Sequence, residues 1–269
     1  MKKYTLTSIA KKFQAGEKLT MLTAYDATFA GIIDKTGIDM ILVGDSLGQV
    51  IQGDNSTIPV KLDEMIYHTR CVTRATEHAL VICDLPFLSY QASTSQAILS
   101  AGRALKEGYC EAVKVEGGVE IKDKVKAITQ SGIPVMGHIG LKPQSIHSMG
   151  GYKIHGKNMD EEEKLINEAK VLEQAGAFAI VLEGITLEVS KKITQSINIP
   201  TIGIGSGPHC SGQVLVIYDL LGMNPLFKPR FIKTYGDGYN FISDAVKKYI
   251  DEVKTSSFPT PEHSFNQEK

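Results

Sequence analysis

The sequence predicts an α/β fold, a (β/α)8 TIM barrel preceded by an N-terminal helix. Three observations carry that reading. Short β-branched runs alternate with amphipathic helical patterns along the chain, and strict βα alternation implies a parallel sheet with right-handed crossovers. The runs are almost continuously apolar, as strands covered on both faces must be. About eight of them fit into 269 residues, which favours closure into a barrel over an open sheet.

Taken in order, residues 5–15 show helical apolar spacing behind a threonine or serine cap. Strands are expected at 20–24, 40–43, 80–83, 112–115, 134–137, 178–182, 201–204 and 214–217. Helical patterns at 27–35, 62–76, 94–106, 120–130, 160–174 and 187–195 separate them. Gly37, Gly108, Gly132 and Gly176 stand where glycines end helices. No clear helix lies between the last two runs, and 241–253 reads as a closing helix. Residues 1–254 read as one domain without a linker. Residues 255–269, with Pro259 and Pro261, read as a disordered tail.

Apolar residues make up 42%, enough for a sizeable core, and the net charge of −1 argues against nucleic acid or an anionic membrane as partner. A small-molecule substrate is the expected partner. No run approaches the ~18 apolar residues of a membrane span. The start, Met1-Lys2-Lys3-Tyr4-Thr5, leads into no signal-peptide segment. Cys71, Cys83, Cys110 and Cys210 lack metal-type spacing and read as reduced thiols of a cytoplasmic protein.

Chemistry enters at Ala112-Val113-Lys114-Val115-Glu116-Gly117-Gly118. Residues i and i+2 of a strand share a face, so Lys114 and Glu116 project side by side, away from Val113 and Val115. Charges on so apolar a strand are costly unless paired, metal-bound or used. A structural Lys–Glu pair is the plain alternative. The other strand ends tip the balance. Tyr25-Asp26, Asp45-Ser46, Asp84, His138, Glu183 and Ser206 stand at C-terminal ends of runs, the rim that carries the active site in such barrels. The opposite ends carry little chemistry.

Asp45, Asp84 and Glu116 come from three successive strands and offer hard oxygen ligands. That set suits Mg2+, which keeps waters and takes one or two carboxylates plus substrate oxygens. Either aspartate alone could equally cap the helix after it. Glu183 follows Ala179-Ile180-Val181-Leu182, and an apolar setting raises a carboxylate's pKa, as suits a general base; its alternative is a salt bridge to a loop lysine. His138 could polarise a carbonyl or satisfy a backbone group. Lys114 would pair with a substrate carboxylate or carbonyl oxygen, a Schiff base competing poorly beside a metal.

Gly203-Ile204-Gly205-Ser206-Gly207 lacks the helix and acidic residue of a dinucleotide loop. Close approach of a ligand to backbone is the better use of its glycines. The basic stretches 140–157 and 228–233 read as a lid or as solvated loops.

With these residues in view, the sequence closely resembles the ketopantoate hydroxymethyltransferases. The resembling segments include Leu22-Thr23-Ala24-Tyr25-Asp26, Val43-Gly44-Asp45-Ser46-Leu47-Gly48 and Cys83-Asp84-Leu85-Pro86-Phe87. Val113-Lys114-Val115-Glu116-Gly117-Gly118, Gly137-His138-Ile139-Gly140-Leu141 and Gly150-Gly151-Tyr152-Lys153 add to them. The resemblance implies a (β/α)8 enzyme of pantothenate biosynthesis. It would transfer a hydroxymethyl group from 5,10-methylenetetrahydrofolate to 3-methyl-2-oxobutanoate, use Mg2+ and assemble as a homodecamer.

Carried over by position, the resemblance implies metal ligands at Asp45, Asp84 and Glu116, keto-acid contacts at Asp45, Ser46, Asp84 and Lys114, and a proton acceptor at Glu183. To these the residues themselves add His138 as a substrate contact and Lys114 as catalytic partner of Glu183. The chain departs from the family pattern at Gly184-Ile185-Thr186, at Ser211 and at Tyr218. The last two bear on hydrogen bonding around the final strand. A carbon–carbon lyase of the isocitrate lyase and phosphoenolpyruvate mutase type would use a similar rim, but its Lys-Lys-Cys-Gly-His context is absent. An aldolase using free formaldehyde stays open, since no folate-binding motif stands out.

Overall fold

Eight parallel strands pair in sequence order and close into a barrel. They are β1 (Leu19–Thr23), β2 (Met40–Val43), β3 (Leu80–Asp84), β4 (Ala112–Glu116), β5 (Val135–Gly140), β6 (Ala179–Glu183), β7 (Thr201–Ile204) and β8 (Gly212–Leu215). Pairing of β1 with β8 completes the ring, with Met21 opposite Val214. The computed structural model describes residues 2–151, 153–226 and 229–266. Met1, Tyr152 of the Gly-Gly-Tyr-Lys motif, Lys228 of the basic run and residues 267–269 of the expected tail lie outside the described residues. The predicted fold class is the observed one.

Strand parity organises the interior. Leu19 and Met21, Met40 and Leu42, Leu80 and Ile82, and Ala179 and Val181 point alternately into one apolar cluster. Helix Leu6–Gln14 adds Ile9 to it. The helix starts where Thr5 Oγ1 accepts from Ser8 N at 3.2 Å and Thr5 N donates to Ser8 Oγ at 2.7 Å, a reciprocal cap. Lys12 Nζ pairs with buried Asp39 Oδ1 at 2.5 Å, and Asp39 Oδ2 accepts from Thr20 N and Oγ1. Charge here fastens the helix to the strands beside it.

The longer helices lie near their expected places: Ala27–Asp34, Leu62–Thr73, Thr94–Gly108, Lys122–Gln130, Met159–Gln174 and Leu187–Ser196. Helices Leu47–Val50, Ile146–Met149 and Ile217–Leu220 were not legible, being too short for a period to register. Two expectations need correction. Gly108 does not make the left-handed turn after its helix; Tyr109 does, with φ 64°. Gly108 serves packing instead, because a Cβ there would lie 3.0 Å from Thr69 Cγ2. The last strand begins at Gly212 rather than at 214, and Ile217 opens a helix. Gly212 passes so close to β1 that a Cβ would stand 2.4 Å from Leu19 O, a contact the apolar run Val214-Leu215-Val216-Ile217 does not advertise.

The chain divides into two compact units, Met1–Val216 and Ile217–Lys269, a boundary inside the span 1–254 that reads as one domain. The first unit holds the barrel. In the second, helix Gly238–Lys254 has no buried residue. The residues beyond it, which read as a tail, include a 3-10 turn at Pro261–His263. Phe258 there stands edge-on to Tyr249 at 5.9 Å and to His263 at 5.0 Å. Among the described residues no helix is long and apolar enough to cross a membrane.

Candidate active site

Sheet register brings the charged residues together. Asp84 on β3 is the register partner of Lys114 on β4, and Glu116 on β4 is that of His138 on β5. By parity Lys114 and Glu116 share the inward face of Ala112, Asp84 that of Ile82, His138 that of Met136, and Glu183 that of Val181. These five side chains sit above the apolar cluster, at the C-terminal end of the barrel.

Lys114 is the hub. Its Nζ lies 2.7 Å from Asp84 Oδ1, 3.1 Å from His138 Nδ1 and 3.9 Å from Glu116 Oε1. His138 Nδ1 is 3.5 Å from Glu116 Oε1, and its Nε2 is 3.3 Å from Glu183 Oε2. Asp45, just past β2, joins through its backbone N–H, which donates to Asp84 Oδ2 at 3.2 Å. Asp45, Asp84, Lys114, Glu116 and His138 are all buried. Glu183 is more open than its apolar run suggests, its side chain 19% exposed. Ser46 Oγ lies 2.8 Å from the hydroxyl of buried Tyr25.

Three buried carboxylates face one ammonium and one imidazole. Burial, then Asp84 and Glu116, push the Asp45 carboxyl well above its usual range. Burial also raises Asp84, against the pull of Lys114. Glu116 is held low: burial opposes its charge, but His138 and Lys114 outweigh that. Burial likewise opposes the Lys114 charge, and Asp84, Glu116 and Asp45 together hold the ammonium above its ordinary range.

The 3.1 Å approach of Lys114 Nζ to His138 Nδ1 needs a lone pair on Nδ1. In the neutral ring the imidazole proton would then sit on Nε2, facing Glu183; with both nitrogens protonated, Nδ1 would turn from Lys114 to Glu116 Oε1. Burial and Lys114 oppose a second proton; Glu116 and Glu183 outweigh them and lift the pKa to about 9.

Two residues of the cluster were not found from sequence. Gln144 Nε2 donates to Asp45 Oδ2 and to Leu85 O, both at 2.9 Å, and Gln144 N donates to Glu116 Oε2 at 3.1 Å. The Tyr90 hydroxyl accepts from Glu116 N at 3.0 Å and stands 2.9 Å from Gln144 Oε1. Both lie on loops that follow strands, β5 and β3 respectively. That rim position was the only signal available, since loop residues carry no periodicity.

Other rim residues do not join. Asp26 caps helix Ala27–Asp34, its Oδ1 accepting from Phe29 N at 2.9 Å. Ser206 Oγ donates to Leu182 O at 2.7 Å and accepts from Ile185 N. The glycine loop holding Ser206 joins two strands and precedes no helix. At the departure noted above, Ser211 and Thr201 bond to each other, Ser211 N donating to Thr201 Oγ1 at 3.1 Å and Thr201 N to Ser211 Oγ at 3.2 Å.

Among the described residues no three His, Cys, Asp or Glu side chains form a ready-made metal cage. Lys114 lies against Asp84, and Gln144 against Asp45, which takes up part of the space such a cage would need. The residues nonetheless fit a hard dication that keeps waters. Two adjacent aspartates supply oxygen donors, and the carboxylates outnumber the cations around them. Asp84 Oδ1 and His138 Nε2 complete no well-aligned hydrogen bond among the described residues.

Sequence comparison settles the family. The model of the ketopantoate hydroxymethyltransferase family matches residues 3–261. The chain belongs to the ketopantoate hydroxymethyltransferase family. It is accordingly a transferase enzyme, as expected from its sequence. A relative named 3-methyl-2-oxobutanoate hydroxymethyltransferase, from Geobacter metallireducens, is 55% identical over 98% of this chain and 99% of its own. A protein of the same name from Thermoanaerobacter sp. is 51% identical over 100% of this chain and 98% of its own.

Among solved structures, a 2,3-dimethylmalate lyase of the PEP mutase/isocitrate lyase superfamily aligns with a TM-score of 0.61 at 15% identity, covering 96% of this chain and 92% of its own. A phosphonopyruvate hydrolase aligns with a TM-score of 0.63 at 11% identity, covering 97% of this chain and 93% of its own. Those likenesses show the barrel fold alone.

Proposed function

We propose that this enzyme transfers a hydroxymethyl group from 5,10-methylenetetrahydrofolate to 3-methyl-2-oxobutanoate, giving 2-dehydropantoate for pantothenate biosynthesis. One observation carries the chemistry: the chain Lys114–His138–Glu183 runs from the buried carboxylates to the most open acid of the cluster. Asp45 and Asp84 would hold Mg2+, with Glu116 direct or through water. Bound there, the metal would supply Lewis acidity toward the keto and carboxylate oxygens of the substrate.

Every other role falls to the protein. Asp45, Ser46, Asp84, Lys114 and His138 surround the keto acid. Glu183 takes the C3 proton, and the C–H electron pair becomes the enolate. His138, its Nε2 3.3 Å from Glu183 Oε2, positions that base. The Lys114 ammonium faces the growing oxyanion charge. C3 then bonds to the donor's methylene carbon, and both C–N bonds of that carbon break in turn, one replaced by the bond to C3 and the other by a bond to a water oxygen. The protons released from C3 and from water end on the donor's two nitrogens. The donor carbon stands at the oxidation level of formaldehyde, so one water furnishes the hydroxyl group as tetrahydrofolate leaves.

The same reading includes a cytoplasmic homodecamer, which sedimentation would check. The chemistry is tested by following the C3 proton of 3-methyl-2-oxobutanoate by NMR in D2O, with Mg2+ and then with chelator. Metal-dependent washout is expected. Its absence, with and without tetrahydrofolate, would sink the enolate. Turnover on free formaldehyde equal to that on the folate donor would replace the donor.

A further inference from the structure

Building on that reading, we infer that Gln144 is a positioning residue of the reaction, fixing which oxygen of Asp45 and of Glu116 is left open to ligand. Its carboxamide neither ionises nor attacks, so its value lies in where its hydrogen bonds point. Leu85 O can only accept, so the group 2.9 Å from it must be the Gln144 nitrogen. Oε1 is thereby turned toward the Tyr90 hydroxyl at 2.9 Å and Gln91 Nε2 at 3.2 Å. Tyr90 already accepts from Glu116 N, so its own hydrogen is free for Gln144 Oε1 or for Glu116 O, each 2.9 Å away. The amide cannot turn over without placing its oxygen against Leu85 O.

Two oxygens are tied by this arrangement. The second Nε2 hydrogen occupies Asp45 Oδ2, and the backbone N–H occupies Glu116 Oε2. Among the described residues no hydrogen bond reaches Asp45 Oδ1, and Glu116 Oε1 faces Lys114 and His138. Each carboxylate keeps one oxygen for ligand, lysine or histidine. A carboxylate already turned to its working orientation loses less freedom when a ligand arrives. Gln144 is itself buried in the turn Pro143–Ser145, directly before helix Ile146–Met149. It therefore also docks the loop after β5 onto the carboxylates.

The test titrates Mg2+ calorimetrically into wild type, Gln144→Met, which keeps length without the amide, and Tyr90→Phe, which removes the hydroxyl holding Oε1. C3 washout and the keto-acid KM at saturating Mg2+ are measured beside it. Gln144→Met is expected to weaken Mg2+ binding by about 10- to 100-fold and to slow washout. KM should stay within about threefold, a split that marks lost orientation rather than lost substrate contact. Tyr90→Phe should move Mg2+ affinity the same way by less.

A merely structural role would lower the melting temperature and leave Mg2+ affinity unchanged. Both variants folded and within about twofold of wild type would overturn the inference alone. A wild-type protein that neither binds Mg2+ nor exchanges C3 would overturn the proposed function, and the inference with it.

Discussion

Lys114 Nζ lies 2.7 Å from Asp84 Oδ1, and the two residues are register partners on neighbouring strands. Backbone pairing sets their separation, so the ion pair is built into the sheet. Breaking a buried pair by removing one partner costs about 3–5 kcal/mol, because a charge is left uncompensated. Lys114→Met is expected to lose about that much stability in urea denaturation and to lose C3 washout. Unchanged stability would show that Asp84 and Glu116 do not depend on the ammonium.

Glu183 is the most exposed acid of the cluster, and among the described residues its side chain meets the cluster through His138. Glu183→Gln is therefore expected to stop C3 washout while leaving Mg2+ affinity and melting temperature close to wild type. Retained washout in this variant would remove Glu183 from the role of base.

Asp45 stands among three buried carboxylates whose compensation is incomplete. Asp45→Asn should raise the melting temperature measured in chelator, since a strained charge is removed. It should also abolish stabilisation by Mg2+, which at a hundredfold excess over Kd amounts to about 2.7 kcal/mol in a protein that binds it. Equal stabilisation of both proteins by Mg2+ would place the metal elsewhere.

Asp34 carries a pH prediction away from the site. Its Oδ1 accepts from Ala79 N at 2.7 Å and His78 N at 3.0 Å, and its Oδ2 from Glu77 N at 2.9 Å. Burial opposes the charge, but these donors outweigh it and hold the carboxyl below its ordinary range. The folded state therefore binds this proton less readily than the unfolded chain. The stabilisation is complete above the unfolded pKa, near 4, and is lost as pH falls through the lower folded value. Asp34→Asn should cost about 1–3 kcal/mol at pH 7, and the difference from wild type should shrink in acid. A difference independent of pH would show that the charge is not what the donors hold.

Much of the molecule was legible because periodicity is local. A run with Lys114 and Glu116 two residues apart, between Val113 and Val115, can only place both charges on one face. Apolar parity and βα alternation gave the barrel, and the strand ends gave Asp45, Asp84, His138 and Glu183 as a rim. Gln144 and Tyr90 escaped because each sits on a loop, where neither period nor composition says which way a side chain turns. The start of β8 escaped because the decisive fact was a missing Cβ at Gly212 against Leu19 O.

The sequence by itself therefore determined the strands, their inward faces and the chemical types gathered at one end. Only the tertiary structure decided the partners: Lys114 with Asp84, Glu116 with His138, and Gln144 across to both Asp45 and Glu116. Side-chain direction along a strand follows from neighbours one or two residues away. Which carboxylate meets which donor depends on register between strands and on loop closure across tens of residues, and no local pattern encodes either.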